Sequence, residues 1–145
     1  MRILLLLLAL ALLAGGFIYR MGHGDSRAIA AFLTSYQTYD EAVAALENAP
    51  APDVSLEPAA DGALSELRSR ASARISSLTR NDGVYMSLTA EIATLAGREL
   101  SVLKAWRRAV ASKDDEASRL AKGFAELKRD RKAAFARVQA LEGAP

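Results

Sequence analysis

Cysteine is absent from the 145 residues of the chain, which excludes disulfides, thiolate metal sites and cysteine nucleophiles. Histidine occurs once, as His23, with no second ligand or nucleophile close to it in the sequence, so imidazole catalysis and a histidine metal pair have nothing to work with. Proline is confined to Pro50, Pro52, Pro58 and Pro145, leaving the long stretch between Ala59 and Ala144 free of the residue that most readily ends a helix. Aromatic residues make up only 6% of the chain, and none stands within its densest charge run, Lys128-Arg129-Asp130-Arg131-Lys132. A stacking platform for bases is therefore missing and no nucleic acid is expected as a partner; the run reads as a solvated helix face. There is no glycine-rich phosphate loop, HExxH zinc motif, GxSxG elbow or EF-hand loop. These gaps point away from an enzyme and imply no cofactor.

Net charge is small and unevenly placed. The formal net charge is +2, yet residues 20–100 carry 7 basic and 11 acidic side chains whereas residues 101–145 carry 11 and 6. The acids of the basic half are interspersed along its helices, the pattern of an ordinary solvated surface.

The strongest local signal is the N-terminus. No charged residue occurs from Ile3 to Tyr19, Arg2 precedes the run and Arg20 follows it. As a helix it would span about 25 Å, the short end of what crosses a bilayer. Ala14, Gly15 and Gly16 offer a small-residue cleavage region, but Phe17, Ile18 and Tyr19 continue the apolar run, which favours an uncleaved anchor over a signal peptide. The stretch Leu13-Ala14-Gly15-Gly16 resembles a bacterial lipoprotein cleavage box, except that Gly16 stands where acylation requires cysteine. Ala11 and Gly15 have the spacing that packs two anchors together and would allow a homo-oligomer. The expectation is a segment 1–20 that binds the lipid bilayer through residues 3–19, a joint at 21–25, and a helical domain at 26–145 on the non-cytoplasmic side, periplasmic or extracellular.

Within that domain, periodicity predicts four helices. A first, from about Ser26 to Asn48, places Ile29, Phe32, Tyr36, Tyr39, Val43 and Leu46 on one seam at alternating spacings of three and four. A proline-containing loop follows at 49–60. A second helix, from about Gly62 to Arg80 behind the capping candidate Asp61, carries Leu64, Leu67, Ala71, Ile75 and Leu78; Asn81-Asp82-Gly83 ends it. A third carries Val84, Leu88, Ile92, Leu95, Leu103, Trp106 and Val110, and a fourth Leu120, Phe124, Leu127, Ala134, Val138 and Leu141. Two all-α architectures remain open: an antiparallel up-down four-helix bundle behind a transmembrane helix, or one continuous helix over 84–142 forming a coiled coil.

Register favours the bundle. In an antiparallel pair, residues at one level have numbers adding to a constant. Val110 with Leu120, Trp106 with Phe124, Leu103 with Leu127 and Ile92 with Val138 share one such total, and so do Glu99 and Arg131, the two opposite charges that interrupt these seams. They are expected to pair and fix the register of the hairpin. The same arithmetic lets the third and fourth helices project beyond the second, carrying Trp106, Val110, Leu120 and Phe124 into an uncovered apolar tip. There Trp106 beside Arg107 has the residue types of an interface hot spot; alternatively the loop 49–60 folds over the tip using Val54 and Leu56. The function these features favour is a non-catalytic, membrane-tethered helical interaction or scaffold protein of the cell envelope with a protein partner. The alternative is an extracytoplasmic small-molecule sensing or binding domain, for which an output module across the membrane finds no room.

Overall fold

The computed structural model describes residues 27–73 and 82–142. The expected anchor and joint, Ile75, Leu78 and the turn residue Asn81 lie outside them. Among the described residues no helix is long and apolar enough to cross a membrane. The described residues are all-α, four helices packed as an up-down bundle: α1 (27–48), α2 (Glu57–Ala71), α3 (Asp82–Ser112) and α4 (Ala117–Glu142).

Each long helix turns most of its seam inward, although at the two ends of the α3 seam Val84 and Val110 are left exposed. Phe32, Tyr36, Tyr39, Val43 and Leu46 of α1, Leu88, Ile92, Leu100 and Leu103 of α3, and Phe124, Ala134 and Val138 of α4 are all buried. Burial of such side chains is worth about 1.5–3 kcal/mol apiece for the larger ones, and it supplies the stability that isolated helices of this composition would lack. Polar residues on the outer faces bond back to their own helix, as Thr34 to the Ala30 carbonyl and Thr38 to that of Thr34, both at 3.0 Å.

Directions follow from the cross-helix contacts. Between α1 and α4, Tyr36 stacks on Phe135, Asp40 meets Arg131 and Glu47 meets Lys128, so one number rises as the other falls. Between α2 and α3, Lys104 reaches Asp61 and Thr89 reaches the Ala71 carbonyl, again antiparallel. Between α1 and α3 the order is parallel: Phe32 with Tyr85, Tyr39 with Ala96, and Arg107 with Leu46.

Two expectations about boundaries are corrected. The second helix does not begin behind Asp61; it begins at Glu57, with Pro58 in its first turn. Proline costs nothing there, because the first-turn N–H groups have no intrahelical acceptor, and its fixed φ suits the helix. Asp61 therefore lies inside α2, where its carboxylate receives the Lys104 ammonium at 2.7 Å. The same helix ends at Ala71 rather than Arg80, with the Ser72 and Ala73 amides closing on the Arg68 and Arg70 carbonyls.

The continuous helix over 84–142 is also excluded. Lys113 adopts a left-handed φ of 57°. Its amide donates to the Val110 carbonyl at 3.2 Å, and the Asp114 amide donates to that of Ala109 at 2.9 Å. This pair of bonds is the Schellman closure of an α-helix, built on lysine although glycine is its usual residue. Asp114 then starts α4: its Oδ1 accepts from the Glu116 amide at 2.9 Å and its carbonyl from the Ala117 amide at 3.1 Å.

Candidate functional site

Two places in the bundle carry more chemistry than packing requires. The first is a buried charge centre. Glu99 on α3 and Arg131 on α4 are both 0% exposed. Arg131 donates from Nε to Glu99 Oε2 and from Nη2 to Glu99 Oε1 at 3.2 Å, and the same Nη2 donates to Asp40 Oδ1 on α1 at 2.6 Å. The guanidinium is bracketed by Tyr36 and Tyr39, its carbon 5.0 and 5.2 Å from their ring centroids. The Tyr39 hydroxyl donates to the Ala96 carbonyl at 2.7 Å. Arg131 Nη1 and the Tyr36 hydroxyl have no hydrogen-bond partner among the described residues.

One guanidinium thus faces two carboxylates, and their environments separate them. Burial dominates at Glu99 and pushes its carboxyl above the ordinary value despite the bond to Arg131. At Asp40 burial acts in the same direction, but the Arg131 bond, its charge and that of Lys132 outweigh it and hold the group low. Burial also opposes the charge on Arg131, yet the bonds from Glu99 and Asp40 keep it firmly protonated. The Tyr36 phenol is pushed up to about 12, first by burial and then by the two carboxylates, against the pull of Arg131. Tyr39 moves the same way for the same leading reason. A substrate cannot reach Glu99 or Arg131 without prising helices apart, so the geometry suits fixing three helices in register.

The second place is the end of the bundle opposite the start of α1. Trp106 on α3 is partly exposed and stacks on Phe124 of α4, ring centroids 5.9 Å apart and planes 19° apart. The pair lines a groove of about 530 Å³ together with Glu47, Lys128, Arg129 and Lys132. Lys128 crosses to Glu47 on α1 at 2.5 Å and lies over the Phe124 ring, 5.5 Å from its centroid. Val110 is 45% exposed, Leu120 partly buried and Phe124 buried beneath Trp106.

Arg107 does not face outward with Trp106. It is 6% exposed, and its guanidinium donates to four carbonyls: Nη1 to Leu46 at 2.6 Å and Ala49 at 2.7 Å, Nη2 to Pro50 at 3.2 Å and Asp53 at 2.5 Å. Two of these carbonyls belong to the last turn of α1 and its exit, where unsatisfied C=O groups attract a cation. The expectation that Arg107 offers its donors to a partner is corrected on this ground: the loop has taken them. The loop accordingly lies along the end of α3, with Leu56 packed on the core and Val54 left 61% exposed.

Sequence reasoning missed Asp40 as the third member of the charge centre and Glu47 as the partner of Lys128. Their signal was available. Asp40 and Glu47 flank the α1 seam one position beyond Tyr39 and Leu46, and α4 presents Arg131 and Lys128 with the opposite sign. Among the described residues no group of three or more His, Cys, Asp or Glu could hold a metal ion. Comparison with known proteins finds no matching family model, no similar curated protein and no similar solved structure.

Proposed function

We propose that this chain is a membrane-tethered helical interaction protein of the cell envelope, non-catalytic, that docks a protein partner on the face around Trp106. The tether rests on the uncharged run from Ile3 to Tyr19, and the non-cytoplasmic placement of the bundle is part of the same reading. The observation that carries the docking face is the Trp106–Phe124 stack left open between α1 and α4, with Lys128, Arg129 and Lys132 lining the same groove. A partly exposed tryptophan with a stacked aromatic beneath it, bordered by long charged side chains, is the composition of an interface centre and its border. The rigid setting favours a preformed surface: Arg107 pins the loop on one side and Lys128 bridges to α1 on the other.

A photo-reactive residue at Ala125, which lines the groove, tests this in intact cells. The reading requires one defined adduct, identified by mass, that disappears on Trp106→Ala while the bundle remains folded. Adducts that persist unchanged in that variant would refute it. A second reading, small-molecule binding by the bundle, draws on a separate cleft between α2 and α3.

A further inference from the structure

We propose that the cleft between α2 and α3 binds a small soluble oxyanion of two or more charges, held between Arg98 and Arg68, whose guanidinium rests on Gly97. The cleft has a volume of about 560 Å³ and is lined by these three residues with Ala93 and Ser101 among them, and no acidic side chain lines it. It shares no residue with the Trp106 groove, so it stands whether or not that groove docks a protein.

The charge pattern singles it out. Four exposed arginines elsewhere on the bundle sit against carboxylates, Arg70 on Glu66 at 2.6 Å, Arg119 on Glu116 at 2.6 Å, Arg129 on Asp130 at 3.1 Å and Arg137 on Glu91 at 3.8 Å; Arg27 and Arg108 are exposed without one among the described residues, but neither lines this cleft. Arg68 and Arg98 have no such partner among the described residues. The acids of α2 are all engaged: Glu57 and Asp61 by Lys104, at 3.7 and 2.7 Å, and Glu66 by Arg70 at 2.6 Å. Two guanidinium groups, each able to donate a parallel pair of N–H bonds, therefore face one concavity without neutralisation. Planar bidentate donation of this kind matches phosphate and carboxylate oxygens.

Gly97 is the second observation. A glycine in mid-helix weakens the helix relative to alanine, and here the missing side chain makes room for one group. A Cβ at this position would lie 2.2 Å from Arg68 Nη2 and 3.3 Å from its Cζ. The absence of a side chain lets the Arg68 guanidinium rest on α3 instead of swinging free, in the cleft that Arg98 also lines. The Ser101 hydroxyl makes no bond among the described residues and adds a donor one turn along, whereas Thr94 spends its hydroxyl on the Ala90 carbonyl at 2.9 Å.

Titration of the full-length chain with inorganic pyrophosphate at constant ionic strength, followed by calorimetry and by the Gly97 amide resonance, decides the matter. The expected result is saturable binding that weakens by an order of magnitude in Gly97→Ala, although that variant melts no lower than the wild type, because the added methyl displaces only the flexible end of Arg68. Arg68→Gln and Arg98→Gln should weaken binding as much, and Arg129→Gln on α4 should leave it unchanged. Absence of saturable binding, wild-type affinity in Gly97→Ala or in Arg68→Gln, or an equal loss in Arg129→Gln would overturn the assignment.

Discussion

Replacing Arg131 by leucine removes a cation on which three helices converge, and the structure ranks the consequences. Glu99 would be left at 0% exposure without a counter-charge, and breaking a buried pair from one side costs about 3–5 kcal/mol. Asp40, whose side chain is 35% exposed, can turn to water and adds little. Glu99→Leu should cost less, about 2–3 kcal/mol, because the guanidinium keeps its bond to Asp40 and its place between two tyrosine rings. Asp40→Asn should cost about 1 kcal/mol, the scale of a partly exposed charge-assisted bond. The double variant Glu99→Leu with Arg131→Leu buries no charge at all and should be more stable than Arg131→Leu alone. Urea unfolding followed by helical circular dichroism measures all four, with a total stability of roughly 5–15 kcal/mol expected for a domain of this size. Costs that simply add in the double variant would refute the reasoning, since they would mean the two groups do not interact. So would a larger loss from Glu99→Leu than from Arg131→Leu.

Three further outcomes follow from the geometry. Arg107→Ala should cost about 3 kcal/mol, and Arg107→Lys should recover little of it, because an ammonium cannot serve four carbonyls in a fork; limited proteolysis between Ala51 and Ser55 should accelerate in both. Trp106→Ala should cost about 1–2 kcal/mol, below the roughly 3–5 of a fully buried tryptophan, and thermal melting of the purified chain checks it. The raised Tyr36 phenol contributes stability that is complete below the unfolded value of 10.0 and is lost as pH rises through about 12. The loss amounts to about 3 kcal/mol, and Tyr36→Phe should flatten the alkaline unfolding curve in that window.

Much of the fold was legible because its seams are regular. The spacing of three and four along α1, α3 and α4 survives into the buried set, and Glu99 and Arg131 stood out as opposite charges at one level of two apolar stripes. What escaped was information that no short stretch carries. Pro58 reads as a loop residue until one knows that it occupies a first helical turn. Lys113 takes a left-handed φ that no glycine announces. Asp40 joins the charge centre only through the packing of α1 on α4, two helices joined by no short turn. Arg107 beside Trp106 has the composition of an interface hot spot, and its true partners are backbone carbonyls of a loop whose path side-chain identity does not specify. The Trp106–Phe124 pairing, by contrast, follows from the same register as the ion pair.

The proposed docking face is tested most directly by exploiting the absence of cysteine. A single thiol introduced as Ala125→Cys in the groove, and another as Ser69→Cys on the exposed side of α2, can be labelled with a maleimide in the purified chain and in native membranes. The groove thiol should react readily in the purified chain and slow by an order of magnitude in native membranes, while the α2 thiol reacts at the same rate in both. Equal rates for Ala125→Cys in the two settings would contradict the proposed docking face.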